Sequence, residues 1–139
     1  QVVTMGSYGI GVTRVMAALA EANCDDKGLS WPAQIAPFDV HVLATGKDNA
    51  VFEAAASLAA ALDAAGLDVV FDDRRKVSAG VKFADFELVG VPLGVVVGRG
   101  LKTGNVEVRV RGTGESFEVP VDAAAARVIE LHGQLMGEN

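Results

Sequence analysis

After position 38, apolar and polar residues follow two different periods. Apolar residues recur at intervals of three and four in three segments, which predicts helices at 48–65, 80–89 and 120–136. Alternating or uninterrupted apolar runs predict strands at 40–44, 67–71, 91–98, 106–111 and 116–119. Asp48 and Gly66 are expected to cap and close the first helix, and Pro120 stands where a helix begins. Strands that alternate with helices and end in an antiparallel hairpin predict an α/β fold, a mixed five-stranded sheet flanked by helices.

The first 38 residues follow another pattern. A β-prone run at 1–5 precedes a glycine-rich loop, and helical spacing follows at 12–23. Pro32 and Pro37 then interrupt a polar stretch. Because proline blocks a helix and makes its predecessor extended, this stretch indicates a connector. We therefore expect a strand–helix unit at 1–24, a linker at 25–38 and a domain at 39–139.

The glycine-rich loop allows two interpretations. Gly6, Gly9 and Gly11 precede Arg14, one turn into the helix. A dinucleotide fingerprint is weakly matched, because Arg14 stands where that motif packs a small residue. The simpler interpretation is a tight turn with an exposed Arg14. The sharper one is a nucleotide site, in which glycines allow a close approach of the backbone and the planar cation of Arg14 contacts the nucleotide.

Composition excludes several classes of protein. Half of the 139 residues are hydrophobic, which excludes intrinsic disorder. The single cysteine excludes a disulfide framework, and two histidines without a ligand pattern predict no metal site. No apolar run reaches the roughly 20 residues of a membrane span, and no secretory signal is visible. We therefore expect no membrane contact and a reducing cytoplasm.

Net charge gives a misleading first impression. With 12 basic and 18 acidic residues, the chain is acidic overall, which argues against nucleic acid. Eight of the basic residues but only three of the acidic ones lie between positions 74 and 111. Because phosphate binding needs a local basic surface and not a basic protein, nucleic acid returns as a candidate partner. The alternative is that these side chains are simply solvated.

Three stretches together resemble one family. Residues 5–14 (MGSYGIGVTR) resemble motif 3 of class II aminoacyl-tRNA synthetases, in particular the bacterial-type prolyl-tRNA synthetase family. Residues 28–38 are similar to the linker of that family, and 72–92 look like its anticodon-binding domain. The resemblance covers the whole chain. It implies that Arg14 contributes to catalysis by contacting ATP, and that Gly9 and Gly11 shape the floor of that site.

The resemblance also implies an activity. Enzymes of this family join proline to its tRNA through an adenylate, with ATP and Mg²⁺. The amino-acid pocket and the surface that forms the homodimer would lie upstream of residue 1, so the chain alone is expected to be inactive. The isolated anticodon-binding domain is expected to need no cofactor.

RNA recognition is predicted at one helix and its surroundings. Phe83 and Glu87 share a helix face, and proline anticodons contain two guanines. An aromatic ring can stack on a splayed base, while a carboxylate accepts from guanine N1–H and N2–H₂. The resemblance places Phe83 and Glu87 in the anticodon contact surface, and the basic residues expected there are Arg74, Lys82, Arg99, Lys102, Arg109 and Arg111.

Simpler alternatives remain for these residues. Phe83 could belong to the core, and Glu87 could pair with Lys82 or an arginine. Arg109 and Arg111 alternate along a strand and so share a face, where they could meet guanine or phosphate. For the whole chain, the alternative is a non-catalytic α/β ligand-binding or regulatory module of the same fold without an RNA role.

Overall fold

A computed structural model describes residues 2–137. The helices are α1 (Val12–Ala22), α2 (Asn49–Ala64), α3 (Ala79–Val89) and α4 (Val121–Met136). The strands are β1 (Val40–Ala44), β2 (Val69–Asp72), β3 (Leu93–Val97), β4 (Asn105–Val110) and β5 (Ser116–Pro120). Short 3₁₀ turns lie at Ala33–Ile35 and Arg99–Thr103. The predicted elements after position 38 are all present, with bounds that shift by up to two residues.

The five strands form one mixed sheet in the order β2-β1-β3-β4-β5. β1 runs parallel to β2 and β3, whereas β4 is antiparallel to β3 and β5. This confirms the predicted fold class. The second predicted strand begins later than expected, because Asp68 is bonded to Asp39 instead. The Asp68 amide donates to the Asp39 carboxylate, and the Asp39 amide donates to the Asp68 carbonyl.

Helices cover the two faces of the sheet unequally. α2 and α4 pack on one face and enclose the larger core, which includes Val42, Leu62, Val95 and Val108. α3 alone packs on the other face, over Leu43 and Val96. Since one short helix cannot cover five strands, the α3 face stays partly open over β4 and β5. Val106, Val108 and Val110 are buried, while the residues between them point to this open side.

Caps define the helix ends. Ser78 caps α3 by accepting a hydrogen bond from the Val81 amide, and Gly90 ends it in the left-handed region with φ of 76°. Asp48 occupies the N-cap position of α2 with extended backbone, but its side chain makes no cap hydrogen bond, contrary to expectation. The predicted stop at Gly66 agrees with its φ of 91°. α3 is therefore the helix with both ends defined by its own sequence.

The amino-terminal segment is largely exposed in the part of the chain that the structure describes. Residues 2–18 are exposed, and α1 buries none of its side chains. The predicted strand at 1–5 is not formed among residues 2–5, because a strand needs neighbouring backbone and none is near; Gln1 lies outside the described residues. None of the helices within residues 2–137 is long and apolar enough to cross a membrane.

The predicted linker is not a free connector. The Leu29 amide donates to the Leu88 carbonyl over 3.2 Å, and the Trp31 amide donates to the Gly90 carbonyl over 3.1 Å. Gly28, with φ of 152°, lies so close to Leu88 that a Cβ would collide with its backbone. The linker is therefore held against the carboxyl-terminal end of α3.

Candidate nucleic-acid interface

The open part of the sheet forms a cleft of about 600 Å³ beside α3. The cleft lies at the carboxyl-terminal ends of β1 and β3, where the chain leaves these two neighbouring strands in opposite directions. In open α/β sheets such a switch point is where ligands bind. Side chains that line it include Thr45, Phe83, Arg99, Glu107, Arg109 and Glu118.

Arg109 and Phe83 form one wall of the cleft. The guanidinium carbon of Arg109 lies over the Phe83 ring, 4.4 Å from its centroid. Arg109 Nε donates to Glu107 Oε1 over 2.8 Å. Both residues project from the same face of β4, two positions apart, so the strand places the carboxylate beside the guanidinium. The stacking of Arg109 on Phe83 and its hydrogen bond to Glu107 are thus formed without a ligand.

The rim of the cleft is basic. Arg99 and Lys102 are exposed on the 3₁₀ turn after β3, and neither forms an ion pair within residues 2–137. Gly98 brings this turn against β1, because a Cβ there would collide with Thr45 Oγ1. Both cations are thus accessible to a ligand, and their contact with phosphates stays a prediction.

Arg74 lies at the same edge of the sheet but is already paired. Its guanidinium contacts the carboxylates of Asp72 and Asp85, each at 2.6 Å. Burial by itself raises the pKa of Asp72, but the hydrogen bonds from Arg74 and Lys82 outweigh it and hold this pKa well below the usual range. The same carboxylates raise the pKa of Arg74. RNA could share Arg74 only by competing with these two partners.

Lys82 requires a correction. Its side chain is only 1% exposed, and its ammonium donates to the carbonyls of Ala44 and Asp72 over 2.8 and 3.0 Å. It also lies 3.1 Å from the Asp72 carboxylate. Lys82 therefore joins α3 to the ends of β1 and β2, and its charge does not reach the surface where RNA was predicted to bind.

Glu87 and Arg111 lie at the opposite end of α3, away from the cleft. Glu87 is 3.2 Å from the Lys27 ammonium, a partner that the sequence prediction did not include. Arg111 is largely buried and donates to both Asp25 carboxylate oxygens over 2.8 Å, and also to the Glu87 carbonyl. The hydrogen bonds from Arg111, followed by those from the Lys27 and Gly28 amides, hold the pKa of Asp25 well below its usual range. The predicted RNA contact of Arg111 is therefore corrected, because its guanidinium is occupied by the linker.

Two acidic residues of the cleft were missed by the sequence analysis. Glu107 on β4 and Glu118 on β5 are directly opposite each other in the sheet register. Alternation along β4 could have identified Glu107, because it shares a face with Arg109. The position of Glu118 depends on the pairing of β4 with β5, which only the structure supplies.

The predicted nucleotide residues lie outside this cleft. Gly11 is the N-cap of α1, and Arg14 is exposed on its first turn. A Cβ at Gly9 would meet nothing within 4 Å, so no contact among residues 2–137 requires glycine there. No group of three or more acidic, histidine or cysteine side chains in this part of the chain could hold a metal ion.

Comparison with known proteins agrees with this architecture. Residues 39–131 match the family described as anticodon binding domain, which is about the extent of the sheet and its three helices. The chain belongs to the anticodon-binding domain family. This family agrees with the predicted resemblance.

Curated relatives of the whole chain share one name. A proline–tRNA ligase of Paenarthrobacter aurescens is 61% identical over 129 residues, which make up 93% of this chain and 21% of that protein. A proline–tRNA ligase of Corynebacterium glutamicum is 56% identical over 131 residues, 94% of this chain and 22% of that protein. The chain thus spans about a fifth of the length of these relatives.

A solved structure shares the fold. The prolyl-tRNA synthetase from Cryptosporidium parvum, determined with L-proline and AMP, matches with a TM-score of 0.79 and 25% identity. The match covers 90% of this chain and 28% of that one. These similarities confirm the resemblance to prolyl-tRNA synthetases that the sequence motifs indicated.

Proposed function

We propose that this anticodon-binding domain recognises the anticodon guanines of the tRNA for proline. The observation that carries the proposal is the cleft beside α3, which combines a stacked Phe83–Arg109 pair, carboxylates on its floor and a basic rim. Single-stranded RNA is recognised by stacking of splayed bases and by hydrogen bonds to their edges. Each of these contacts has a candidate residue in the cleft.

Charge distinguishes the parts of the cleft. Arg99 and Lys102 on the rim attract phosphates, whereas Glu107 and Glu118 on the floor repel them. A carboxylate is instead suited to guanine, which presents two adjacent N–H donors on its Watson–Crick edge. We therefore assign the rim to the RNA backbone and the floor to bases. Glu87 remains a second candidate acceptor, which guanine would have to share with Lys27.

We further propose that the chain acts as part of a proline–tRNA ligase, which attaches proline to its tRNA with ATP and Mg²⁺ in the cytoplasm. The relatives' names and their identity over nearly the whole chain support this. In that enzyme residues 1–24 would belong to the catalytic unit, with Gly9, Gly11 and Arg14 at the ATP site. Residues 25–38 would be the linker and 39–139 the anticodon-binding domain, of which 138–139 lie outside the described residues. The homodimer would form through the catalytic unit.

A binding series tests the RNA role. Affinity of the chain is measured for the tRNA for proline and for transcripts in which each anticodon guanine is replaced, at moderate salt. Replacement of either guanine is expected to weaken binding, because a base edge and not only the backbone is read. Equal affinity for all transcripts would contradict the proposal and favour the alternative module without an RNA role.

Matched variants locate the surface. Lys102→Ala is expected to weaken binding and to reduce the salt dependence by about one phosphate contact. Arg127→Ala is the control, because Arg127 is a partly exposed cation on α4, on the opposite side of the sheet, with a local partner in Glu130. Equal effects of the two variants would show that RNA binds by charge alone and not at the cleft.

A further inference from the structure

We propose that the stacking surface for an anticodon guanine is the guanidinium of Arg109, lying over Phe83, and that Glu107 is the positioning residue that holds it there. This inference rests on the proposed RNA role. It replaces the sequence-based assignment of Phe83 as the platform and of Arg109 as an edge or phosphate contact. It also gives Glu107 a role that the sequence analysis did not consider.

The Phe83 ring is not free to receive a base. It is partly buried and packs against the smaller core cluster of Leu43, Phe86, Val91 and Val96. The Arg109 guanidinium lies over the ring, 4.4 Å from its centroid, and both side chains line the cleft. A base that enters the cleft beside this wall can therefore stack on the guanidinium.

Arg109 has the properties of a platform. A guanidinium is planar and weakly hydrated, and RNA bases stack on it as they do on aromatic rings. The side chain is 31% exposed, so part of it remains accessible from the cleft. The ring beneath stabilises the cation and limits the positions it can adopt.

Glu107 accounts for the fixed position of Arg109. The Glu107 carboxylate accepts a hydrogen bond from Arg109 Nε only. The two terminal nitrogens of Arg109 have no hydrogen-bond partner within residues 2–137. In the sheet register Glu107 also faces Glu118, and like charges directly opposite each other are destabilising. Arg109 offsets this repulsion, which favours the Glu107–Arg109 ion pair when no RNA is bound.

A conservative substitution separates stacking from charge. Arg109→Lys keeps the cation but removes the planar group, whereas Arg109→Gln removes the cation and replaces the guanidinium with a smaller neutral amide. Each variant is tested against the tRNA for proline and against transcripts with an abasic nucleotide in place of each anticodon guanine. If Arg109 is the platform, both variants lose roughly 5- to 100-fold in affinity for the intact tRNA. For the transcript that lacks the stacked base, the loss from Arg109→Lys disappears.

Glu107→Gln tests the positioning role. The amide keeps the size and an acceptor oxygen but lacks the charge that holds Arg109. It is expected to weaken binding of intact tRNA and to have no further effect when Arg109→Lys is already present. A purely structural role would instead lower the melting temperature and weaken binding equally in both backgrounds. Melting curves of every variant, with Arg127→Ala as the control, show whether the fold is retained.

The outcomes separate the two proposals. If wild-type binding does not depend on the guanines, the proposed RNA reading fails. If it does depend on them but Arg109→Lys binds as the wild type does, only the platform role fails. If Arg109→Lys retains binding while Arg109→Gln loses it equally on intact and abasic RNA, with a reduced salt slope, Arg109 is a phosphate contact and the inference is overturned.

Discussion

The ammonium of Lys82 lies 3.1 Å from the carboxylate of Asp72, with both side chains buried. The ammonium also donates to two backbone carbonyls at the ends of β1 and β2. α3 is thus attached to the sheet by a buried charge directly next to Phe83. Lys82 affects the proposed RNA surface only indirectly, because it sets the position of α3, the helix on which Phe83 lies.

Lys82→Met tests this attachment. The variant leaves the Asp72 carboxylate buried without its ammonium partner, and breaking a buried pair in this way costs about 3 kcal/mol or more. Arg74 still contacts Asp72, so the lower end of that range is expected. The free energy of unfolding in urea measures the effect.

Lys76→Met is the matched control for Lys82→Met. Lys76 is exposed in the loop before α3 and forms no ion pair within the described part of the chain, so a change below about 0.5 kcal/mol is expected. Equal destabilisation by the two substitutions would refute the structural role of Lys82.

His41 makes stability depend on pH near neutrality. It is 6% exposed beneath Phe86, and its Nδ1 has no hydrogen-bond partner among residues 2–137. Burial lowers the pKa of His41 below 6.5, against the attraction of Asp72 and Asp85 and together with the repulsion of Arg74 and Lys82. The unfolded chain therefore takes up the proton first as the pH falls. Stability is complete above pH 6.5 and is lost below it, by at most about 1.4 kcal/mol per pH unit.

Urea unfolding at several pH values between 8 and 5 checks this dependence. His41→Gln is expected to remove most of the slope, because the titrating group is gone. His132→Gln is the comparison, since His132 is partly exposed on α4 and contacts Asp39. If the slope survives in His41→Gln and vanishes in His132→Gln, the assignment to His41 is wrong.

Asp25 and Arg111 predict a second dependence at lower pH. Hydrogen bonds from Arg111 lower the pKa of Asp25, so its stabilising effect is present above the ordinary value of 3.8 and is lost as the pH falls below it. Asp25→Asn is expected to flatten the acid side of the stability curve. Asp26→Asn, at the neighbouring exposed carboxylate, should leave that side unchanged. If Asp25→Asn loses stability at low pH as the wild type does, residues 25–38 are not held in place by the Asp25–Arg111 pair.

Gly94 provides a test of how α3 sits on the sheet. A Cβ at Gly94 would lie 2.8 Å from the Phe86 ring, and β3 is hydrogen-bonded to β1 on one side and to β4 on the other. Gly94→Ala is therefore expected to displace Phe86 and to destabilise the fold by about 1–3 kcal/mol. Gly112→Ala is the control, because its Cβ would meet only Ser30 Oγ at 3.9 Å. Similar unfolding free energies for both variants would show that α3 adjusts freely.

The fold could be predicted from the sequence because its signals are local. Alternation along 106–111 and the glycine at position 90 indicate a strand and a helix end without knowledge of distant residues. The predicted strand bounds differ from those in the structure where long-range contacts decide them, as at Asp68, whose amide donates to the Asp39 carboxylate. The β-prone run before Gly6 shows the converse, since strand propensity does not form a strand where no neighbouring strand is present.

The sequence by itself determined the α/β architecture and the resemblance to prolyl-tRNA synthetases, and it predicted Phe83 and Arg109 as RNA contacts. Only the tertiary structure decided which cations are available. Lys82 and Arg111 have the same formal charge as Lys102, but their partners, Asp72 and Asp25, come from other parts of the chain. A charge contributes to binding only where burial and ion pairing leave it accessible, and those are properties of contacts between distant residues, which the order of residues does not display.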